Sequence, residues 1–190
     1  ADVASPDYEL NNVASVTINP SWVSSNGSPQ YDVAVITLNS AFNAITPIAV
    51  TDENPLNERG LMAGYGLHGE GDNFTNGDDG VRRCAENTID FVDNEPFDGF
   101  TIQVDFDSPN ENTNTYGSST PLALEGATAS GDSGGPLIVN FSGTDYVVGA
   151  LNGGYNPFGT ASEYGDVSIW AAVSDATNSS FLADNGVTIS

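Results

Sequence analysis

Short runs of β-branched, aliphatic and aromatic residues recur along the chain, separated by clusters of Gly, Asn, Asp and Ser. Val13 to Ile18, Tyr31 to Leu38, Ile45 to Val50, Gly60 to Tyr65, Thr101 to Phe106, Leu137 to Phe141, Tyr146 to Leu151 and Val167 to Ala172 are the clearest. Runs of this length between turn-forming residues predict strands, and their number predicts an all-β barrel or sandwich. The clusters over residues 69–80 and 107–112 predict loops. Only Ala171 to Leu182 has helical spacing, with Ala172, Ala176 and Ser180 four apart and Phe181-Leu182 near the end, so one short C-terminal helix is expected. The polar stretch Thr51 to Glu58 is the candidate linker, dividing the chain into segments 1–50, 51–59 and 60–190. No internal repeat is present.

Composition sharpens this picture at one point. A chain of 190 residues with 38% hydrophobic content has room for a core, which excludes a metal-stapled peptide scaffold and disorder of the whole chain. Its charge is unusual: 26 acidic residues stand against three basic ones, Arg59, Arg82 and Arg83, giving a net charge of -23. Such a surface repels phosphate, so neither nucleic acid nor an anionic membrane is an expected partner. It also repels itself, a cost that salt screens. An acidic secreted protein and one from a halophilic or marine setting both fit. No run approaches the roughly 18 apolar residues of a membrane span. The opening Ala1 to Asp7 has no signal-peptide character. A processed, secreted or periplasmic protein and a piece of a longer precursor both remain open.

The chemistry concentrates in Gly131-Asp132-Ser133-Gly134-Gly135-Pro136, immediately before the strand-like Leu137-Ile138-Val139. Glycines let the backbone turn sharply and bring N–H groups close to a substrate. Two such groups beside a serine meet the requirement of an oxyanion hole, where charge developing on a carbonyl oxygen must find preorganised donors.

This hexapeptide resembles, at all six positions, the nucleophile motif of the trypsin/chymotrypsin-like serine endopeptidases. Tyr31-Asp32-Val33-Ala34-Val35-Ile36-Thr37-Leu38 is similar to the family strand that carries the triad aspartate, and Val16 to Trp22 resembles the stretch preceding it. Ala63-Gly64-Tyr65-Gly66 resembles the turn early in the second barrel, Val147 to Gly154 the wall of the specificity pocket, and Ala171 to Leu182 the terminal helix. The resemblance implies a chymotrypsin-like double β-barrel whose first barrel is incomplete here, with Ser133 as nucleophile. Asp32 would orient the base, and the Gly131 and Ser133 backbone N–H groups would receive the oxyanion. It implies a polypeptide substrate and calls for no cofactor and no metal. The residue six positions before the nucleophile is Ala127, where a trypsin-type enzyme has aspartate. With Thr128, Asn152, Gly153 and Gly154, this implies an open, weakly polar pocket for uncharged side chains.

The pattern breaks at the base. The family's histidine precedes the triad aspartate by several dozen residues, whereas none of the 31 residues before Asp32 is histidine. The sole histidine, His68, is expected in a surface loop. Cys84 matches a family cysteine whose partner lies near the mature N-terminus, and it is either disulfide-linked to a separate N-terminal fragment or a small buried filler. In the family Asp132 pairs with a freed α-amino group; here an Arg substitutes or Asp132 points outward. One cause would unite these differences: the histidine-bearing front of the first barrel is missing from this chain. A separate segment or another protomer must then cover the exposed edges.

The acidic loops Asp72 to Asp79 and Asp90 to Asp98 lack the spacing of a defined calcium loop and are expected to be solvated. The four Asn-x-Ser/Thr sequons, at Asn26, Asn73, Asn140 and Asn178, are about what chance provides. Gly131-x-Ser133-x-Gly135 also fits the nucleophile elbow of α/β-hydrolases, but Pro136 and the following strand run against the helix that motif requires. The rival from another class is a catalytically silent, protease-like binding or structural module.

Overall fold

The computed structural model describes residues 10–77, 79–93, 100–110, 113–117, 120–159 and 161–190. In chain order the elements are β1 (Val13–Ile18), α1 (Pro20–Ser24), a 3-10 turn (Pro29–Tyr31), β2 (Ala34–Leu38), β3 (Ala49–Val50), β4 (Arg59–Gly64), β5 (His68–Glu70), β6 (Asn73–Gly77), β7 (Arg83–Thr88), β8 (Phe91–Asp93), β9 (Thr101–Asp105), β10 (Pro136–Phe141), β11 (Thr144–Tyr155), β12 (Val167–Ala172) and α2 (Ala176–Asp184). One sheet dominates, in the order β7-β4-β10-β11-β12-β9-β8. Its neighbours along that path are antiparallel. The β7 and β9 ends curl toward each other, and Asn87 Nδ2 donates to the Asp105 carbonyl at 2.6 Å across the seam. The architecture is mostly β, a curled chymotrypsin-like barrel sheet with one short C-terminal helix.

Two apolar clusters share β12. Trp170 and Ala172 point into the curled sheet among Ile102, Val104, Leu137, Val139, Val148 and Leu151. Ala171 and Val173 point the other way, onto Val33, Phe181 and Leu182. Side chains alternate along a strand, so a strand covered on both faces is apolar throughout; every residue of β12 is buried. β1 and β2 form a separate two-stranded sheet in which Val16 faces Ile36 and Ile18 faces Ala34. Val35 packs on the second cluster, while Val16, Ile18 and Ile36 on the opposite face are 52–59% exposed.

Several expectations need correction. The C-terminal helix starts at Ala176, not Ala171, because Ala171 and Ala172 are taken into β12 and the Asp175 carboxylate caps the Thr177 and Asn178 amides at 2.8 and 3.1 Å. Pro29 sits in the first turn of the 3-10 segment, so β2 begins at Ala34 rather than Tyr31. Ile45 to Val50 contributes only β3, which pairs in parallel with Tyr146 and Val147 of β11. Residues 69–80, expected as loop, contain most of the β5–β6 pair. β7 and β8 were not predicted at all. Ala1 to Asp7, Asp78 and residues 94–98 of the acidic loops lie outside the described residues.

Candidate active site

The loop from Gly131 to Pro136 is pinned from both sides. Gly134 and Gly135 bracket a tight turn: Gly134 has φ +81° and its N–H donates to the Leu151 carbonyl at 2.8 Å, while the Leu151 N–H donates to the Gly135 carbonyl at 2.9 Å. A β-carbon at that φ is strained, which explains the glycine. The Asp132 N–H bonds the Ala129 carbonyl and the Gly135 N–H the Asp132 carbonyl. These bonds consume the loop's other amides and leave Ser133 at an exposed apex.

Asp132 corrects the sequence reading: it meets no Arg and does not point outward. Its carboxylate turns inward and accepts the Gly66 N–H at 2.8 Å and the Ala129 N–H at 3.0 Å. A half-buried carboxylate needs such donors, and here backbone amides supply them. The Gly64-Tyr65-Gly66 turn exists in this form because a side chain at Gly64 would overlap Asp132 Oδ1.

Asp32 closes the 3-10 turn, half-buried, and Asn152 Nδ2 donates to its Oδ2 at 2.7 Å. Asn152 lies where the β11–β12 register slips between Leu151 and Gly153, a bulge that re-aims its side chain. One point on β11 therefore serves both groups, with Leu151 anchoring the loop of Ser133 and Asn152 holding Asp32. The turn before Asp32 is fixed by Asn178, which is fully buried on α2: its Nδ2 donates to the Gln30 carbonyl at 2.6 Å and to the Ala172 carbonyl at 2.8 Å, and its Oδ1 accepts from Asn19 Nδ2 at 2.9 Å.

The pocket residues divide. The Thr128 N–H and Oγ1 both bond Ser168 Oγ, at 3.0 and 2.9 Å. Ala127 and Thr128 line a cleft of about 620 Å³ between β4, β7 and the inner side of the nucleophile loop, together with Asp132, His68 and Cys84. Ser133, Asn152, Gly153 and Gly154 stand outside it. Gly153 has open space where a side chain would be, and Gly154 lies against the Val167 carbonyl. His68, expected in a surface loop, instead begins β5 and is half-buried. Cys84 is neither a buried filler nor bonded within the chain: it is a free thiol on the exposed side of β7.

Sequence reasoning missed Asn178, Asn19 and Ser168. Their signal is a polar residue among apolar neighbours, which does not say where its partner lies. Asn178 had been noted only as a sequon, and its full burial leaves no room for a glycan.

A curled β-sheet carrying an exposed serine on a glycine-pinned turn, with an aspartate elsewhere tied to β11, is the frame of a serine-protease-like protein. The chain belongs to the trypsin family, whose sequence model matches residues 2–174. No curated protein matched it in a search of known sequences.

Proposed function

We propose that this protein is a secreted serine endopeptidase that cleaves peptide bonds through an acyl-enzyme on Ser133. The observation that carries this is the shared anchorage on β11: Leu151 holds the Ser133 loop and Asn152 holds the Asp32 carboxylate. A base removes the Ser133 proton as Oγ attacks the scissile carbonyl. The Gly131 and Ser133 N–H groups, which the loop's internal bonds do not use, receive the oxyanion. Asp32 orients the base and stabilises its cation. Water then releases the acyl group.

The base is an imidazole from a polypeptide segment outside these 190 residues. The exposed apolar face of β1 and β2 supports such a segment, since a face of this kind is stable only when covered. In this reading residues 1–50 form the first barrel, 51–59 a linker and 60–190 the second barrel, with β3 (Ala49–Val50) reaching across to β11 and Arg59 already inside β4. Cys84 is accessible for a disulfide to that segment. Ala127 and Thr128, with Ser168 beneath, favour a small uncharged side chain on the substrate.

The second reading, a catalytically silent binding module, is favoured by the position of His68, which lines the inner cleft with Asp132 rather than the face of Ser133. Labelling of native-source protein with a fluorophosphonate separates the two. The endopeptidase reading expects label on the peptide containing Ser133 and none on Ser133→Ala; unlabelled native material establishes the silent module.

A further inference from the structure

The ribbon of β1 and β2 is open along an edge as well as on a face. Among the described residues the two strands pair only with each other. The Asn19 N–H donates to the Val33 carbonyl at 3.0 Å, which marks Asn19 and Val33 as a hydrogen-bonded pair. Bonded and non-bonded pairs alternate along an antiparallel ladder. Thr17 with Val35 and Ser15 with Thr37 therefore bond within the ribbon, and the N–H and carbonyl groups of Val16 and Ile18 turn to the outer edge of β1. β1 is exposed at all six positions, and the side chains of Val13, Val16 and Ile18 are each more than half exposed. So is Ile36, which lies opposite Val16.

This edge lacks what keeps a solitary edge free. Edge strands are normally guarded by charge, proline or a bulge. Neither β1 nor β2 holds a charged residue or a proline, and the register slips only between Val13 and Ser15, ahead of the outward groups of Val16 and Ile18. The lack of charge is local. Of 26 acidic and three basic residues, only Asp32 lies between Leu10 and Thr51, and Asn152 takes its carboxylate. A two-stranded ribbon is at best marginally stable in water; a third strand or a packed face makes it stable.

Charge also selects what covers the edge. A second copy brings another net charge of -23 to a strand about 20 Å long, a contact too small to offset the repulsion. A basic partner finds no carboxylate in either strand. What fits is an extended polypeptide without charge, whose main chain bonds the outward groups while its apolar side chains cover Val16, Ile18 and Ile36.

We propose that β1 is a strand-addition site: an uncharged, extended polypeptide segment pairs with its outer edge through the N–H and carbonyl groups of Val16 and Ile18. This rests on the reading that a segment outside these 190 residues covers the ribbon, and it names that segment's chemistry and its mode of docking. The added strand makes the ribbon three-stranded and continues its apolar face.

Hydrogen exchange resolved to single amides, on native-source protein, gives the first test. The Val16 and Ile18 amides are expected to exchange at least about a hundredfold more slowly than their intrinsic rates; exchange near the intrinsic rate overturns the proposal. Val16→Pro removes one outward N–H and no bond inside the ribbon, a replacement that edge strands tolerate. In protein expressed from the complete gene it should cost the Ile18 amide most of its protection while Thr17 keeps its own, and unchanged protection of Ile18 overturns the proposal. If the variant fails to fold, exchange in the unmodified protein decides alone. Photo-cross-linking from p-benzoylphenylalanine at position 13 identifies the occupant. An uncharged peptide from outside residues 1–190 is expected; a peptide of a second copy, or one rich in Lys and Arg, overturns the proposal. Fluorophosphonate labelling separates this from the endopeptidase reading. Label on Ser133 with unprotected Val16 and Ile18 sinks strand addition alone, whereas protected amides without label uphold it and sink the endopeptidase.

Discussion

At the scale of single residues, the contact with most leverage is the bond from Asn152 Nδ2 to Asp32 Oδ2. It places a neutral amide donor on a half-buried carboxylate, and removing one partner of such a charged hydrogen bond costs about 1.5–3 kcal/mol. Asn152→Ala is expected to lower kcat/KM roughly tenfold to a hundredfold in material that carries its base, and to lower the melting temperature by several degrees. Asn152→Asp is expected to be worse, since two carboxylates would then face each other. Steady-state kinetics of both variants checks the order, and an Asp variant equal to or better than the Ala variant contradicts it. The tight turn around Ser133 was legible in the sequence because a turn pinned at positive φ needs glycines at fixed places and leaves a local signature. Asn152 was read as a pocket residue, and only the bulge in β11 reveals that its side chain turns to Asp32. The inward turn of Asp132 was equally invisible, since its donors come from Gly66 and Ala129, one of them 66 residues away.

At the scale of elements, alternation in the sequence located most of the barrel strands, but their ends were set by neighbours. β11 runs to Tyr155, four residues past the apolar run, because β12 supplies hydrogen bonds to Gly153, Gly154 and Tyr155. β7, Arg-Cys-Ala-Glu-Asn-Thr, has no strand-like pattern, yet it is a strand because β4 offers it six paired positions. Helix α2 depends on its cap. The Asp175 side chain satisfies two N-terminal amides that would otherwise lack partners. Asp175→Ala should cost about 1 kcal/mol, which for a chain of this length lowers the melting temperature by about 2–4 °C. Calorimetry checks this, and an unchanged melting temperature would mean that packing of Phe181 and Leu182, not the cap, holds the helix. Because α2 also carries Asn178, fraying of its first turn should loosen the turn before Asp32.

At the scale of the whole molecule, charge governs the response to the medium. With a net charge of -23, salt should stabilise the fold by screening self-repulsion. The urea midpoint is therefore expected to rise between 0.05 and 1 M NaCl, and a flat midpoint removes the link to a salt-rich habitat. The pH response has a definite sign. Asp90 and Asp107 keep protons in the folded state that the unfolded chain releases near pH 4. The folded state thus binds more protons between about pH 4 and pH 8, and stability falls as pH rises through that window. Thermal melts from pH 4.5 to pH 8.5 should show a continuous decline, and a maximum near neutral pH would contradict it. The sequence by itself determined the all-β class, the family, the glycine-rich turn around Ser133 and the charge, because each is written in local pattern or in a plain sum over residues. The tertiary structure decided the inward turn of Asp132, the union of Asn152 with Asp32 and the burial that raises Asp90 and Asp107. Those depend on strands distant in sequence being brought into register, and a hydrogen bond or a desolvated carboxyl exists only once the partner or the burial does.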